Sequence, residues 1–407
     1  MKILYILQQS VYNNEGKWLT GDSNIQMMRG IIGELLEKTD WTFDIIIAPL
    51  QYFADLNSVD GYRPLLNSDR IRWIERSTSV NAFTNRYNFE VSFFQDLLLR
   101  NDYDVVWNNI IELSRNIKTV LWANKLKAKL ISCNYWIDCP TIGEAKVDTS
   151  ISYDFRQIDG AECSDLVPFT CKSTREAFMI NTYRRVGHPI EDKLFQKSTI
   201  WDFGFSQKEL DRYSPAKQGK LPKFEKKTIV FPNRLSGINY THHEEFIKAV
   251  NELYKERQDF QVIFCNPSQK FSWKWLYEHV EPVDIYDTEH LSREKYIKLL
   301  WMSDIVMSLY TIERYGGCSN VEAVYCGCIP IMPKFGEYEA RARKDFIFVN
   351  KDMSNLKETI NLYLNECDNR TALLQEHLVH MKQYVRETSS YEAVSAKVIY
   401  DILNLFK

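Results

Sequence analysis

Residues 311–339 read TIERYGGCSNVEAVYCGCIPIMPKFGEYE, and the fold turns on how they are read. Just before them, Asp304-Ile305-Val306-Met307-Ser308-Leu309 is a short apolar run of the kind that forms a buried strand. Gly316 and Gly317 break the chain, and Ser319 to Cys326 reads as a short helix closed by Gly327. Ile329-Pro330-Ile331-Met332 reads as a second strand. Strand, glycine turn, helix start and strand together describe an anion site. Glycine lets backbone come close, and free N–H groups with the helix dipole favour negative charge. Gly316, Gly317, Cys318, Ser319 and Asn320 line that turn, and Glu322 follows within two helical turns, where a carboxylate accepts two adjacent hydroxyls. The same spacing also fits an ordinary βαβ unit with a capped helix.

Outward from that stretch, 407 residues make room for two domains with separate cores. Hydrophobic residues at 45% and charged residues at 26% describe a globular chain. A net charge of −3 gives no general attraction to nucleic acid or anionic membrane. No apolar run reaches the length of a membrane span or a signal peptide. Nine cysteines without a small-scaffold pattern fit a reducing cytoplasm better than a disulfide framework.

The chain opens on Lys2-Ile3-Leu4-Tyr5-Ile6-Leu7, a continuous apolar strand suited to a parallel sheet. A helix from Asp22 or Ser23 to Glu37, a strand at 43–47, a mixed, aromatic-rich stretch at 70–99 that is largely helical toward its end, and strands at 103–107, 129–133 and 167–171 follow. This alternation predicts a doubly wound α/β domain. Loops beyond its strand ends, Gln8–Gly21 and Asn134–Asp138, face the ligand side. Residues 216–227 are polar, basic and aperiodic, which marks a linker. The alternation then restarts with strands at 228–231 and 260–264 and helices at 243–256 and 292–302. The expected division is 1–215, 216–388 and a carboxyl-terminal helix, 389–407, that returns to the first domain.

Several passages resemble the GT-B glycosyltransferases, the family 4-like members in particular. Ile200-Trp201-Asp202-Phe203-Gly204-Phe205, running on to Leu210-Asp211-Arg212-Tyr213-Ser214-Pro215, resembles their passage before the interdomain linker. Phe231-Pro232-Asn233-Arg234-Leu235 resembles the loop whose arginine meets the donor diphosphate, and Tyr286-Asp287-Thr288 followed by Leu291-Ser292-Arg293-Glu294-Lys295-Tyr296 the segment bordering the donor base. Glu322-Ala323-Val324-Tyr325-Cys326-Gly327-Cys328-Ile329-Pro330 resembles the family's glutamate–alanine helix. Shorter stretches resemble enzymes that mannosylate queuosine in tRNA and phage α-glucosyltransferases that modify hydroxymethylcytosine in DNA. The resemblance implies two Rossmann-like domains facing a central cleft and a metal-independent, retaining transfer from a nucleotide-sugar, UDP-linked by preference, with no other cofactor. It implies a cytoplasmic enzyme with Arg234, Gly316, Gly317, Cys318, Ser319, Asn320, Glu322, Lys334 and Tyr286 on the donor. The acceptor it implies first is a modified base in nucleic acid, DNA before tRNA. Surface polysaccharide or lipid-linked glycan synthesis is the alternative acceptor class, and a GT-B protein that binds nucleotide-sugar without transfer is a third reading. No basic–aromatic helix in the amino half argues for a membrane surface.

The departures from the family concern charge. Members usually carry two glutamates eight residues apart; here Glu322 fits the second, Arg314 stands in the first place, and Glu313 is one residue off register. The family's lysine after Arg234 is replaced by GINYTHH, 237–243, so the second diphosphate cation is Arg314 or Lys334. Asp138 is either the base or sugar-orienting group, or a turn residue before Cys139-Pro140. Cys318, Cys326 and Cys328 lack the second close pair a zinc site needs. Trp273, Trp275 and Tyr277 fit packing at a domain edge as well as base stacking. Arg70, Arg72 and Arg76, and Arg341, Arg343 and Lys344, are basic clusters that meet phosphate or form solvated faces.

Overall fold

The computed structural model describes residues 1–7, 23–47, 65, 67–75, 90–133, 153–202, 204–219, 223–235, 241–266, 272–284, 291–311, 317–368 and 370–407. They form two compact units. One comprises Met1–Phe203 with Val394–Lys407, the other Gly204–Ile312 with Gly316–Ala393.

In the first unit a parallel sheet runs in the order β3-β2-β1-β4-β5, with β1 Lys2–Ile6, β2 Thr42–Ile47, β3 Ile71–Glu75, β4 Val105–Asn108 and β5 Lys129–Ser132. Strand β1 is central because its run has no polar face: Ile3, Leu4 and Tyr5 are fully buried. The β6 Val167–Phe169 and β7 Ser198–Ile200 pair continues beside β5, where the Ser132 amide donates to the Leu166 carbonyl at 3.0 Å. The helices are α1 Ser23–Lys38, α2 Val91–Arg100, α3 Ser114–Ala123, α4 Tyr153–Cys163, α5 Lys172–Val186 and α6 His188–Gln196. Gly160 in α4 lies so close to the chain at Ile111 that a Cβ there would stand 2.0 Å from its carbonyl oxygen.

The mixed 70–99 stretch opens on strand β3 and ends, as expected, in helix α2. The residues of β3 pair with β2, and Arg72 Nε donates to Asp44 Oδ1 at 2.9 Å across the strands. That partner lies 28 residues back and leaves no local trace.

The second unit holds a parallel sheet in the order β11-β10-β8-β9, with β8 Lys227–Arg234, β9 Phe260–Asn266, β10 Ile305–Met307 and β11 Ile329–Ile331. Around it lie α7 Gln207–Arg212, α8 His243–Tyr254, α9 Arg293–Met302, α10 Cys318–Cys326, α11 Leu356–Glu366 and α12 Ala372–Ser389. Phe231 stacks on Phe246 at 5.1 Å in its core. Residues 204–215 group here rather than with 1–202, because Phe205 and Leu210 belong to this core and the Tyr325 hydroxyl donates to Asp211 Oδ1 at 2.9 Å. Gly204 lies against the α12 end, where an added Cβ would sit 2.8 Å from the Ser389 carbonyl oxygen. Helix α13, Tyr391–Asn404, starts in this unit, and from Val394 onward it groups with the first. There Asp401 Oδ2 accepts from Thr199 Oγ1 at 2.8 Å and from Trp201 Nε1 at 2.9 Å.

Candidate active site

A doubly wound sheet opens a crevice where neighbouring strands lead their connections in opposite directions, beyond the strands' carboxyl ends. In the second unit that point lies between β8 and β10, the central strands of the order β11-β10-β8-β9. Three contacts converge there. Ser319 Oγ, in the first turn of α10, donates to Asn233 Oδ1 at the end of β8, 3.5 Å away. Asn320 Nδ2 donates to Ser308 Oγ, just past β10, at 3.1 Å. His242 Nε2 lies 2.8 Å from Thr311 Oγ1.

The α10 N-terminus is open in character. Gly317 caps it with φ +63, a left-handed conformation that side-chain-bearing residues avoid, and as a glycine it makes no side-chain cap; the Asn320 amide donates to the Gly317 carbonyl at 3.1 Å. Asn233 is 6% exposed, and its Nδ2 has no hydrogen-bond partner among the described residues. A buried amide donor without a partner is costly, about 1–3 kcal/mol, so its retention beside a helix start points to a ligand acceptor. At the other end Gly327 closes α10 with φ +93, as its place in the sequence predicts, and the Cys328 amide donates to the Ala323 carbonyl at 3.0 Å.

Glu322 lies deeper. It is 5% exposed, and its Oε1 accepts from Arg293 Nη2 at 2.5 Å. Arg293 also donates to Glu209 Oε2, from Nη2 at 3.0 Å and from Nε at 3.2 Å. Burial pushes the Glu322 carboxyl up from its ordinary range, while Arg293, and then Tyr296, oppose the shift. Arg293 lies in the segment read as bordering the donor base, but the sequence does not show that it and Glu209, 29 and 113 residues from Glu322, join that carboxylate.

Other expected groups fall in different places. Lys334 follows β11, is exposed, and forms no ion pair among the described residues. Cys318 opens α10, half-buried. Arg234 ends β8, and only its backbone is described. Asp138, Tyr286, Glu313, Arg314 and Gly316 lie outside the described residues. Cys328 donates its thiol to the Leu300 carbonyl at 3.2 Å, and burial pushes it up to about 12, so it is a neutral core thiol. Trp273 and Trp275 pack against the second unit's core.

The basic clusters divide: Arg341 is buried, while Arg72, Arg343 and Lys344 stay exposed. Arg70 donates to the Thr39 and Leu36 carbonyls at the end of α1, Arg72 pairs with Asp44, and Arg341 is buried on Asn320 Oδ1 at 3.1 Å. Arg343 pairs with Glu376 at 2.9 Å. Exposed basic residues gather on α5 beside an exposed tyrosine. Lys172, Ile180, Tyr183, Arg184 and Arg185 are exposed there, with Glu176 the helix's one carboxylate. Two guanidinium groups lie over rings of neighbouring helices: Arg185 over Phe155 at 5.6 Å and Arg175 over Phe195 at 4.8 Å.

No family model matches the chain. The N-terminal domain of Candida albicans trehalose-6-phosphate phosphatase superposes with a TM-score of 0.71 over 99% of this chain and 97% of its own, at 16% identity. Anabaena HepE, in complex with UDP, superposes at 0.68 over 99% and 100%, at 13% identity. The chain has the GT-B fold. A 90-residue stretch of this GT-B chain is 32% identical to the tRNA-queuosine alpha-mannosyltransferase of Drosophila melanogaster. That match covers 21% of the chain and 23% of the relative's length. At these identities the superpositions speak for the fold alone. No helix among the described residues is long and apolar enough to cross a membrane.

Proposed function

We propose that this GT-B chain is a glycosyltransferase that moves a sugar from a nucleoside diphosphate donor, UDP by preference, to a hydroxyl acceptor. The observation that carries the reading is the unpartnered, buried Asn233 Nδ2 beside the first turn of α10 at the β8–β10 switch point. The bond broken is that between the anomeric carbon and the diphosphate oxygen, and the departing diphosphate carries the developing charge. The α10 N-terminus, Asn233, Arg234 and Lys334 supply donors and positive charge for it. Glu322, set back along the helix, accepts from hydroxyls of the donor. Retention, metal independence, and parts for Asp138, Glu313, Arg314, Gly316 and Tyr286 follow the family resemblance. HepE supports the UDP preference as a fold relative crystallised with that nucleotide.

For the acceptor we propose a modified base in nucleic acid. The match to a tRNA-modifying enzyme and the cationic, aromatic α5 face support that class, since guanidinium groups meet phosphates and rings stack on bases. A panel of UDP-glucose, UDP-arabinose, UDP-xylose, UDP-GlcNAc and GDP-mannose, against hydroxymethylated DNA, plain DNA and queuosine tRNA, tests both parts by mass. The expected result is a mass gain of one sugar on a modified nucleic acid. Donor binding without a nucleic-acid product overturns the acceptor, and failure to bind any donor overturns the whole.

A further inference from the structure

The carboxylate of Glu322 is held by Arg293, which is held in turn by Glu209. We infer that Arg293, itself steered by Glu209, is a positioning residue that fixes Glu322 as the acceptor of a vicinal diol of the donor. This rests on the donor reading above and deepens it.

The geometry is specific. The Arg293 guanidinium takes only Oε1 of Glu322, at 2.5 Å, so Oε2 stays outside the ion pair. Its Nε and Nη2 both reach Glu209 Oε2, which fixes the plane of the fork and hence the direction from which Glu322 is gripped. Glu209 is anchored in turn. Its helix α7 starts where Glu392 accepts from the Gln207 and Lys208 amides, both at 3.0 Å, so the whole clamp is tied to ordered backbone.

Charge then selects the ligand class. One guanidinium faces two carboxylates, so the trio keeps an excess negative charge and repels phosphate. Neutral hydroxyls satisfy a carboxylate without that conflict. The diphosphate therefore belongs at the Gly317 end of α10 and the diol at Glu322, which sets the direction in which the donor lies along the helix. The groups facing Glu322 are Arg293 and Tyr296 from α9, Glu209 from α7 and Cys326 from α10 itself. Helix α12 brings Lys382, which lies over the Tyr325 ring at 4.8 Å. A diol of this kind occurs on the ribose or on the sugar, and the ligands below separate the two.

The test is calorimetric binding of UDP, 2′-deoxy-UDP and UDP-glucose to wild type, Arg293→Lys, Arg293→Met and Glu209→Gln, at pH 6.5 and 8.5. Wild type should prefer a ligand carrying the diol over its partner lacking it by about ten-fold: UDP over deoxy-UDP for a ribose diol, UDP-glucose over UDP for a sugar diol. Arg293→Met should erase that preference, Glu209→Gln should reduce it, and Arg293→Lys should keep part of it. Without Arg293 the buried carboxyl holds its proton more tightly, so the loss should be larger at pH 6.5 and shrink at pH 8.5. A merely structural role lowers thermal stability and leaves the preference intact. Folded variants with the wild-type preference overturn the inference, as does a wild type that binds UDP or UDP-glucose without any diol preference. If Arg293→Met does not fold, Glu209→Gln and Arg293→Lys decide. A wild type that binds neither ligand overturns the donor reading, and this inference with it.

Discussion

Each unit places a buried asparagine at the carboxyl end of a strand flanking its switch point, and the two amides are used in opposite ways. In the first unit Asn108 is fully satisfied. Its Nδ2 donates to the Ile110 carbonyl at 2.7 Å and to Ser114 Oγ at 2.9 Å, and its Oδ1 accepts from the Ile110 amide at 3.0 Å. The network runs on through Ser114, Ser132 and Ser164, with both hydroxyl contacts at 2.6 Å. In the second unit the Asn233 side chain accepts from Ser319 alone among the described residues, and its Nδ2 is left open there. One fold thus contains a closed polar net that stiffens a core and an open one held for a ligand. Buried polarity alone does not mark a site; an unmet donor does.

That contrast breaks most visibly at the turn. Gly317→Val forces a β-branched residue to φ +63 at the α10 start, and a small displacement of the amides there should lower transfer on the order of 100-fold. Steady-state kinetics with a matched melting curve read it, and wild-type turnover would break the assignment of the open net. Next comes Asn108→Ala, which strips three hydrogen bonds from the closed net. It should destabilise the protein by about 2–3 kcal/mol in urea unfolding while UDP affinity holds. Asn233→Ala should do the reverse, weakening UDP binding about ten-fold with little change in the unfolding midpoint. If both asparagines behave alike, the distinction between the nets fails. The smallest effect is expected from Arg184→Ala combined with Arg185→Ala. The slope of log affinity for DNA against log salt should fall by about two, and an unchanged slope would remove α5 from the acceptor's path.

Much of this was legible in the sequence. The apolar strands β1, β2, β4 and β5, the glycine before α10 and the glycine after it all announce themselves locally, because each depends on its own backbone conformation or on continuous burial. Helix α10 begins at Cys318, one residue before the expected start, since Gly317 already serves as the cap. What failed to show depends on partners far along the chain. Strand β3 goes unplaced within a stretch that reads only as mixed, because its pairing with β2, Arg72 to Asp44 included, joins residues far apart in sequence. Helix α12, which packs on α10, has no glycine or proline signal to announce it. The clamp on Glu322 joins residues 209, 293 and 322, and no window of sequence holds them together.

Helix α13 gives synthesis an order. Thr199 and Trp201 in the first unit are completed by Asp401, and Lys38 Nζ donates to Ser395 Oγ at 2.6 Å. A ribosome therefore makes every residue of the second unit before the first unit can bury its last tryptophan hydrogen bond. The amino-terminal sheet emerges early and waits, its final seam exposed to chaperones until residues 394–407 clear the exit tunnel.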